Sequence, residues 1–410
     1  MRRTVWLALL VTVVLLAIAG CGRDDGNGGG DGDPGITDDE IKIGGSYPFS
    51  GPASAYRSIA EGAKAYFEKV NAEGGVDGRE INFITLDDAY EPPKAVQNAR
   101  RLIQQEQVFA LFNTLGTPNN VAIWDYVNKQ EVPHVYVATG ASLWGADPKA
   151  HPWTTGWQPD YVTESQVYAD YLEKEKPRAK VAVLYQNDAF GEDLLNGFKD
   201  AIKGTDIEIV AEESYEVTDP SVSSQMAKLA NSDADTFLNI TTPKFGAQAI
   251  AADAKLGWDV LHIINNVSAS KLLVLEPVGL DASQGLVSTT YFKDPASPEW
   301  ADDPAMKEYK SAVSKYARLN PEDPFGVFGW GAAQTLVEAL KNMKEPTREA
   351  LMEAVRNMDF RVPILLPGIQ VKTSGNQDGY PIEAMQIQRF EGDNWKLQGK
   401  VIQAPHSPSG

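Results

Sequence analysis

Leu111-Phe112-Asn113-Thr114-Leu115-Gly116-Thr117-Pro118-Asn119-Asn120, followed after an amphipathic run by Val135-Tyr136-Val137-Ala138-Thr139-Gly140-Ala141-Ser142, is the stretch on which the fold turns. An apolar run from Val108 to Phe112 gives way to a polar Gly/Thr loop. Thr117 ahead of Pro118 has the pattern of a helix N-cap with proline at the first helical position. Val121, Trp124 and Val127 continue at helical spacing, and the next apolar run ends at Ala138-Thr139-Gly140. This order predicts a βαβ unit. Such a helix start turns unpaired N–H groups and a partial positive charge toward the space above the strands, which suits a carboxylate or phosphate. A plain βαβ unit is the simpler account of these residues alone, so a site has to be argued from the rest of the chain.

Toward the N-terminus, Ile41 to Gly45 and Ile81 to Leu86 read as strands, the second ending in Asp87-Asp88. Ile59, Ala63, Phe67 and Val70 recur at helical spacing up to Gly74-Gly75, and Pro93 opens a helix with Val96, Ala99, Leu102 and Ile103 on one face. After Trp153-Thr154-Thr155-Gly156 the alternation restarts. Strands are predicted at 181–185, 207–212, 236–240 and 262–264, with helices at 162–172, 191–201, 221–230 and 244–256. Two helical runs follow between Gly285 and Asn342, and period-2 stretches with Gly turns fill Gln370 to Gln403. Short buried strands alternating with helices mean parallel sheets with right-handed crossovers. The fold class is therefore α/β in two lobes. Open α/β sheets bind ligands at the carboxyl ends of their strands, so two facing lobes make a cleft.

At 410 residues the chain is long enough for two such cores, and its 43% hydrophobic content is ordinary. The formal charge of −19 argues against nucleic acid, or an anionic membrane, as a partner bound through a basic patch. Arg2 and Arg3 precede the apolar run Val5 to Ala17, so residues 1–20 read as an export signal, too short for a lasting span. Ile18-Ala19-Gly20-Cys21 resembles a bacterial lipobox, which implies lipidation of Cys21 and anchoring to the membrane, facing the periplasm or cell exterior. Residues 21–38 read as a flexible Gly/Asp tether. Gly30-Asp31-Gly32-Asp33-Pro34-Gly35 matches GxGxxG, but no strand precedes it and its aspartates repel a pyrophosphate, so it is discarded.

Beyond the tether the chain resembles the branched-chain amino acid (leucine/isoleucine/valine) binding proteins of ABC importers. The likeness rests on Ile41-Lys42-Ile43-Gly44, Ser50-Gly51-Pro52, Asn71-Ala72-Glu73-Gly74-Gly75-Val76-Asp77-Gly78-Arg79, Val132-Pro133, and Val181 to Tyr185 followed by Phe190-Gly191. The resemblance implies the type I periplasmic binding fold, two doubly wound parallel-sheet lobes joined by three crossovers. Residues 39–154 with 286–370 are expected in lobe 1, and 155–285 with 382–404 in lobe 2. It implies that Thr117, Ala138, Thr139 and Gly140 hold a ligand carboxylate through a hydroxyl and backbone N–H groups. Tyr56 would pack over the ligand, with Arg57 where the family usually has glycine, and Phe190 would close on it from lobe 2 beside Thr241 and Thr242. At the position of the family's acidic partner for an ammonium stands Asn266, and a desolvated ammonium without a carboxylate is costly. The ligand expected is thus a small carboxylate: a branched-chain or related amino acid, or else an aromatic or other amine-free acid, a reading to which Trp144 and Trp157-Gln158-Pro159 also lend themselves. The partners implied are an ABC permease and its ATPase subunits; a ligand-sensing receptor component is the alternative role.

Catalysis finds no support in the residues. The four histidines, His134, His151, His262 and His406, lack metal spacing, and His134 falls in a strand pattern as a packed core residue. There is no GxSxG elbow and no P-loop. Asp87 and Asp88 point to opposite faces of a strand and read as loop caps; Asp188 reads as turn chemistry before Phe190-Gly191. No catalytic residue, metal or cofactor is expected.

Overall fold

The computed structural model describes residues 33–375 and 379–404. The export signal, Cys21 and residues 21–32 of the tether lie outside the described residues. In the first lobe, β1 (Glu40–Tyr47), β2 (Glu80–Asp87), β3 (Ala110–Phe112), β4 (His134–Val137) and β5 (Thr154–Gly156) form a parallel sheet in the order β2-β1-β3-β4-β5. Helices α1 (Arg57–Ala72), α2 (Pro92–Gln104) and α3 (Thr117–Lys129) make the crossovers, and the single turn α4 (Leu143–Ala146) follows β4. The second lobe runs through α5 (Tyr161–Glu175), β6 (Lys180–Gln186), α6 (Ala189–Ala201), β7 (Glu208–Tyr215), α7 (Ser223–Ala230), β8 (Thr236–Ile240), α8 (Pro243–Leu256), β9 (Leu261–Ile264), the short α9 (Glu276–Val278) and β10 (Val287–Thr290). The chain then returns to lobe 1 with α10 (Pro304–Tyr316), α11 (Pro324–Lys341), α12 (Arg348–Val355) and the small ribbon of β11 (Asp359–Phe360) and β12 (Val371–Lys372). It ends as β13 (Ala384–Glu391) and β14 (Asn394–Gln403), which add antiparallel to the second sheet, ordered β14-β13-β10-β9-β8-β6-β7.

Four details differ from the expectation, the first being that β5 pairs with β4 as far as Gly156, so residues 155 and 156 belong to lobe 1. A boundary at 286 puts β10 in lobe 1, but Val287 pairs with Ile263 of β9 and with Arg389 of β13, so this strand belongs to the second sheet and the crossing starts at Tyr291. The four residues of β10 are too few to show a period. The end of the tether is packed, not free: Ile36 is buried, bridges Ile41, and Asp33 accepts the backbone N–H of Arg348 at 2.7 Å. Thr117 is already the first helical residue of α3, because Gly116, at φ 97°, takes the N-cap position that a residue with a Cβ rarely adopts.

The loop before α3 is held from below by a buried polar network. His134 Nε2 lies 2.6 Å from Thr114 Oγ1 and 3.0 Å from Asn120 Oδ1, while Asn120 Nδ2 donates to the carbonyls of Thr114 and Gly116. Burial favours the neutral imidazole and pushes His134 down from 6.5 to about 3. The unfolded chain binds that proton first, so stability is lost as pH falls below 6.5, by up to about 1.4 kcal/mol per unit. Urea melts at pH 7 and pH 5 are expected to show a smaller acid loss for His134→Gln than for the wild type. Equal losses would rule this linkage out.

Candidate functional site

The carboxyl ends of both sheets face one cavity of about 560 Å³, its mouth included. Of the residues singled out in the sequence, Tyr56, Thr117, Ala138, Thr139, Gln158, Phe190, Thr242 and Asn266 line it. Gly140 and Thr241 do not. Gly140 lies behind the wall, where a Cβ would fall 2.8 Å from Tyr161 Cε1 and 2.9 Å from Gln158 Nε2, so it is the absence of a side chain there that lets these two reach the cavity. Thr241 turns inward, its N–H donating to Asn265 Oδ1 and its hydroxyl to Asn239 Oδ1, and Thr242 takes its place on the wall. Arg57 is exposed. Trp144 packs edge-on against Trp124, and Trp157 is fully buried, its Nε1 donating to Thr335 Oγ1 at 2.8 Å.

The expected backbone cradle is only partly available. The N–H of Ala138 donates to Thr114 O and that of Thr139 to Val137 O, both at 2.9 Å, so neither is free for a ligand. What lobe 1 offers instead is the start of α3 and two hydroxyls, Thr117 Oγ1 and Thr139 Oγ1, which sit 2.5 Å from each other. Beside them Gln158 presents a buried Nε2 that has no hydrogen-bond partner in the protein. No protein group competes for this donor, so an acceptor on a ligand in the cavity is free to take it.

Most of the remaining wall is aromatic. Tyr90 reaches in from the β2–α2 turn, held at φ 64° because Asp88 Oδ1 accepts its N–H at 2.8 Å. Tyr161 starts α5 and packs edge-on against Phe190, whose turn Asp188 caps by accepting the N–H groups of Phe190 and Gly191. Tyr291 and Phe292 come from the second crossing, Phe325 and Phe328 from the first turns of α11. Sequence reading missed these because an apolar helix start and an apolar crossing look like core. No charged side chain lines the cavity.

A carboxylate nevertheless stands one layer behind. Glu164 Oε1 accepts the backbone N–H of Asn266 at 2.7 Å and the Tyr168 hydroxyl at 2.6 Å, and its Oε2 accepts Asn266 Nδ2 at 2.8 Å. Burial pushes Glu164 up to about 7, against these hydrogen bonds, which favour the ionised form.

Residues 40–394 match the family model described as periplasmic binding protein. The chain belongs to this family. A similar relative is the Leu/Ile/Val-binding protein homolog 7 of Brucella suis biovar 1 (strain 1330), 23% identical over 366 residues, covering 86% of this chain and 90% of the relative. Among solved structures, a branched chain amino acid ABC transporter protein from Thermus thermophilus with bound valine superposes with a TM-score of 0.81 at 17% identity, over 90% of this chain and 98% of that one. A fatty acid ABC transporter substrate-binding protein from Thermomonospora curvata gives 0.78 at 24% identity, over 92% and 96%. The fold is the type I periplasmic binding fold.

In this periplasmic binding protein the lobes are drawn together over the cavity. Tyr56 Oη of lobe 1 donates to Val267 O of lobe 2 at 3.0 Å. Ser142, past β4, donates its N–H and its hydroxyl to the two carboxylate oxygens of Asp193 on α6, both at 2.8 Å. Were the lobes to part, these contacts would be lost, so each of them favours the joined arrangement. Asp193→Ala is expected to weaken ligand binding about tenfold. It should also raise the radius of gyration of the empty protein in X-ray scattering; unchanged affinity and unchanged radius would dismiss the latch.

Proposed function

We propose that this binding protein serves an ABC importer by capturing a small, largely apolar carboxylic acid outside the cytoplasmic membrane, tethered there by a lipid on Cys21. The observation that carries this reading is the polarity of the cavity. Gln158, whose Nε2 has no partner in the protein, the hydrogen-bonded Thr117 and Thr139 hydroxyls and the α3 start all border the cavity, and the rest of the wall is uncharged and largely aromatic. A carboxylate satisfies those donors and a hydrocarbon body fills the remainder. The Thermus thermophilus neighbour holds valine, which supports a branched-chain amino acid. The aromatic wall, with no charge to meet an ammonium, equally supports an aromatic acid as the second reading.

Thermal melts with leucine, valine and benzoate, each beside its amide, test the reading. One or more acids should raise the melting temperature where the matching amide does not, since a ligand at a hundred times its Kd adds about 2.7 kcal/mol. If amides work as well as acids, or no acid works, the carboxylate reading fails. Cys21→Ala should move the protein from the membrane to the soluble extracytoplasmic fraction.

A further inference from the structure

We propose that Glu164 sets the ligand's second recognition point by locking the Asn266 side chain with its carbonyl oxygen toward the cavity, so that the site selects carboxylic acids carrying a hydrogen-bond donor. This rests on the cavity being the carboxylate site proposed above. Asn266 lines the cavity and a second, smaller pocket beside it, and Glu164 lines neither. Between them two hydrogen bonds, at 2.7 and 2.8 Å, tie both nitrogens of Asn266 to the two oxygens of one carboxylate. An ionised carboxylate only accepts, so the Asn266 amide cannot turn its oxygen toward Glu164 without setting oxygen against oxygen. Nδ2 is thereby committed to the interior, and Oδ1 is the polar atom left for the ligand.

Glu164 is itself fixed on three sides. The Tyr168 hydroxyl, one turn along α5, donates at 2.6 Å, and Thr289 of β10 lies at 3.4 Å. The other titratable groups around it are Asp160 and Tyr161 at the head of α5 and Tyr291 from the second crossing; Asp160 repels the Glu164 charge. No cation is among them, so the negative charge of Glu164 reaches the cavity through Asn266. An N–H, O–H or ammonium at that point is attracted, and a carbonyl or second carboxylate is repelled. The carboxylate thus acts on the ligand through an amide, which accepts a neutral hydroxyl as readily as a charged amine.

Calorimetric titration of the full chain with two matched series tests this. One has the leucine skeleton with amine, hydroxyl, hydrogen or carbonyl at C2; the other is the phenylalanine skeleton treated the same way. In wild type the amine or hydroxyl member is expected to bind about tenfold more tightly than the hydrogen member, and the carbonyl member to bind weakest. Glu164→Gln, which can turn its own amide to either face, should erase that order. A purely structural role would lower all four affinities together. The wild-type preference should also shrink between pH 8 and pH 5.5, as Glu164 takes up a proton, and stay flat in Glu164→Gln. Equal affinity across a bound series in wild type, or an order untouched by Glu164→Gln, overturns the proposal. Should neither series bind, the carboxylate reading of the cavity falls. The orientation is then judged by the Asn266 side-chain amide in nitrogen-15 NMR, which must shift with pH around 7 in wild type and not in Glu164→Gln; a signal indifferent to both overturns it.

Discussion

Gln158→Ala is expected to weaken binding of the carboxylate ligand about 10- to 100-fold while leaving the empty protein as stable as before. The two halves of this expectation have one cause. Gln158 is 6% exposed and its Nε2 has no partner. Within the protein the amide has no acceptor, so truncating it removes no hydrogen bond from the empty protein. With a carboxylate present the same N–H becomes a charge-assisted donor, worth about 1.5–3 kcal/mol, and its loss gives the stated fold-change. Its backbone is anchored independently, because the adjoining Trp157 donates to Thr335 Oγ1 and packs edge-on against Phe328 and Tyr291. Gln158→Glu goes further, placing a carboxylate against the ligand's own, and should abolish binding. Melting curves and titrations on the same samples separate the cases. A less stable empty protein with unchanged affinity would show that Gln158 is a packing residue.

The sequence made the lobes legible because each strand–helix pair carries its own period: β8, β6 and β1 fall within a residue or two of the predicted runs. It also placed Asp188 and the Asp87-Asp88 pair correctly as turn caps, since Asp88 accepts from Ser46 and Tyr90 and Asp87 from Ser50 and Ala89. Tyr56, Thr117, Ala138, Thr139, Phe190 and Asn266, far apart in the chain, line one cavity. What sequence could not give was set by three-dimensional accounting. That Ala138 N–H is spent on Thr114 O depends on the bridge between Leu115 and Ala138, which no pattern announces. Glu164 lies more than a hundred residues from Asn266, and on a helix it reads as one more surface acid. The left-handed Tyr90 owes its direction to Asp88, not to its own propensity.

Gly329→Ala should cost more stability than any single change at the cavity surface, at least about 3 kcal/mol. α1 and α11 meet backbone to backbone. A Cβ at Gly329 would overlap the carbonyl oxygen of Ile59, and one at Gly62 would overlap that of Gly326. Overpacking a tight interface ordinarily costs about 1–3 kcal/mol, by displacing side chains. Here the obstacle is a helix backbone, which has no rotamer to change, so the helices must separate. That separation reaches the site directly, because α11 carries Phe325 and Phe328, α1 carries Ile59 in its first turn, and Tyr56 immediately precedes α1, all of them cavity wall. Tyr56 and Phe325 touch edge to face, with centroids 5.0 Å apart. A protein that survives the substitution should therefore lose affinity for every ligand alike, without the selective change expected of Glu164→Gln. Chemical denaturation of Gly329→Ala and Gly62→Ala, with titration of whatever folds, gives the answer. Near-native stability in both would mean that the helices can part without loss, and that the aromatic wall is positioned by something other than this contact.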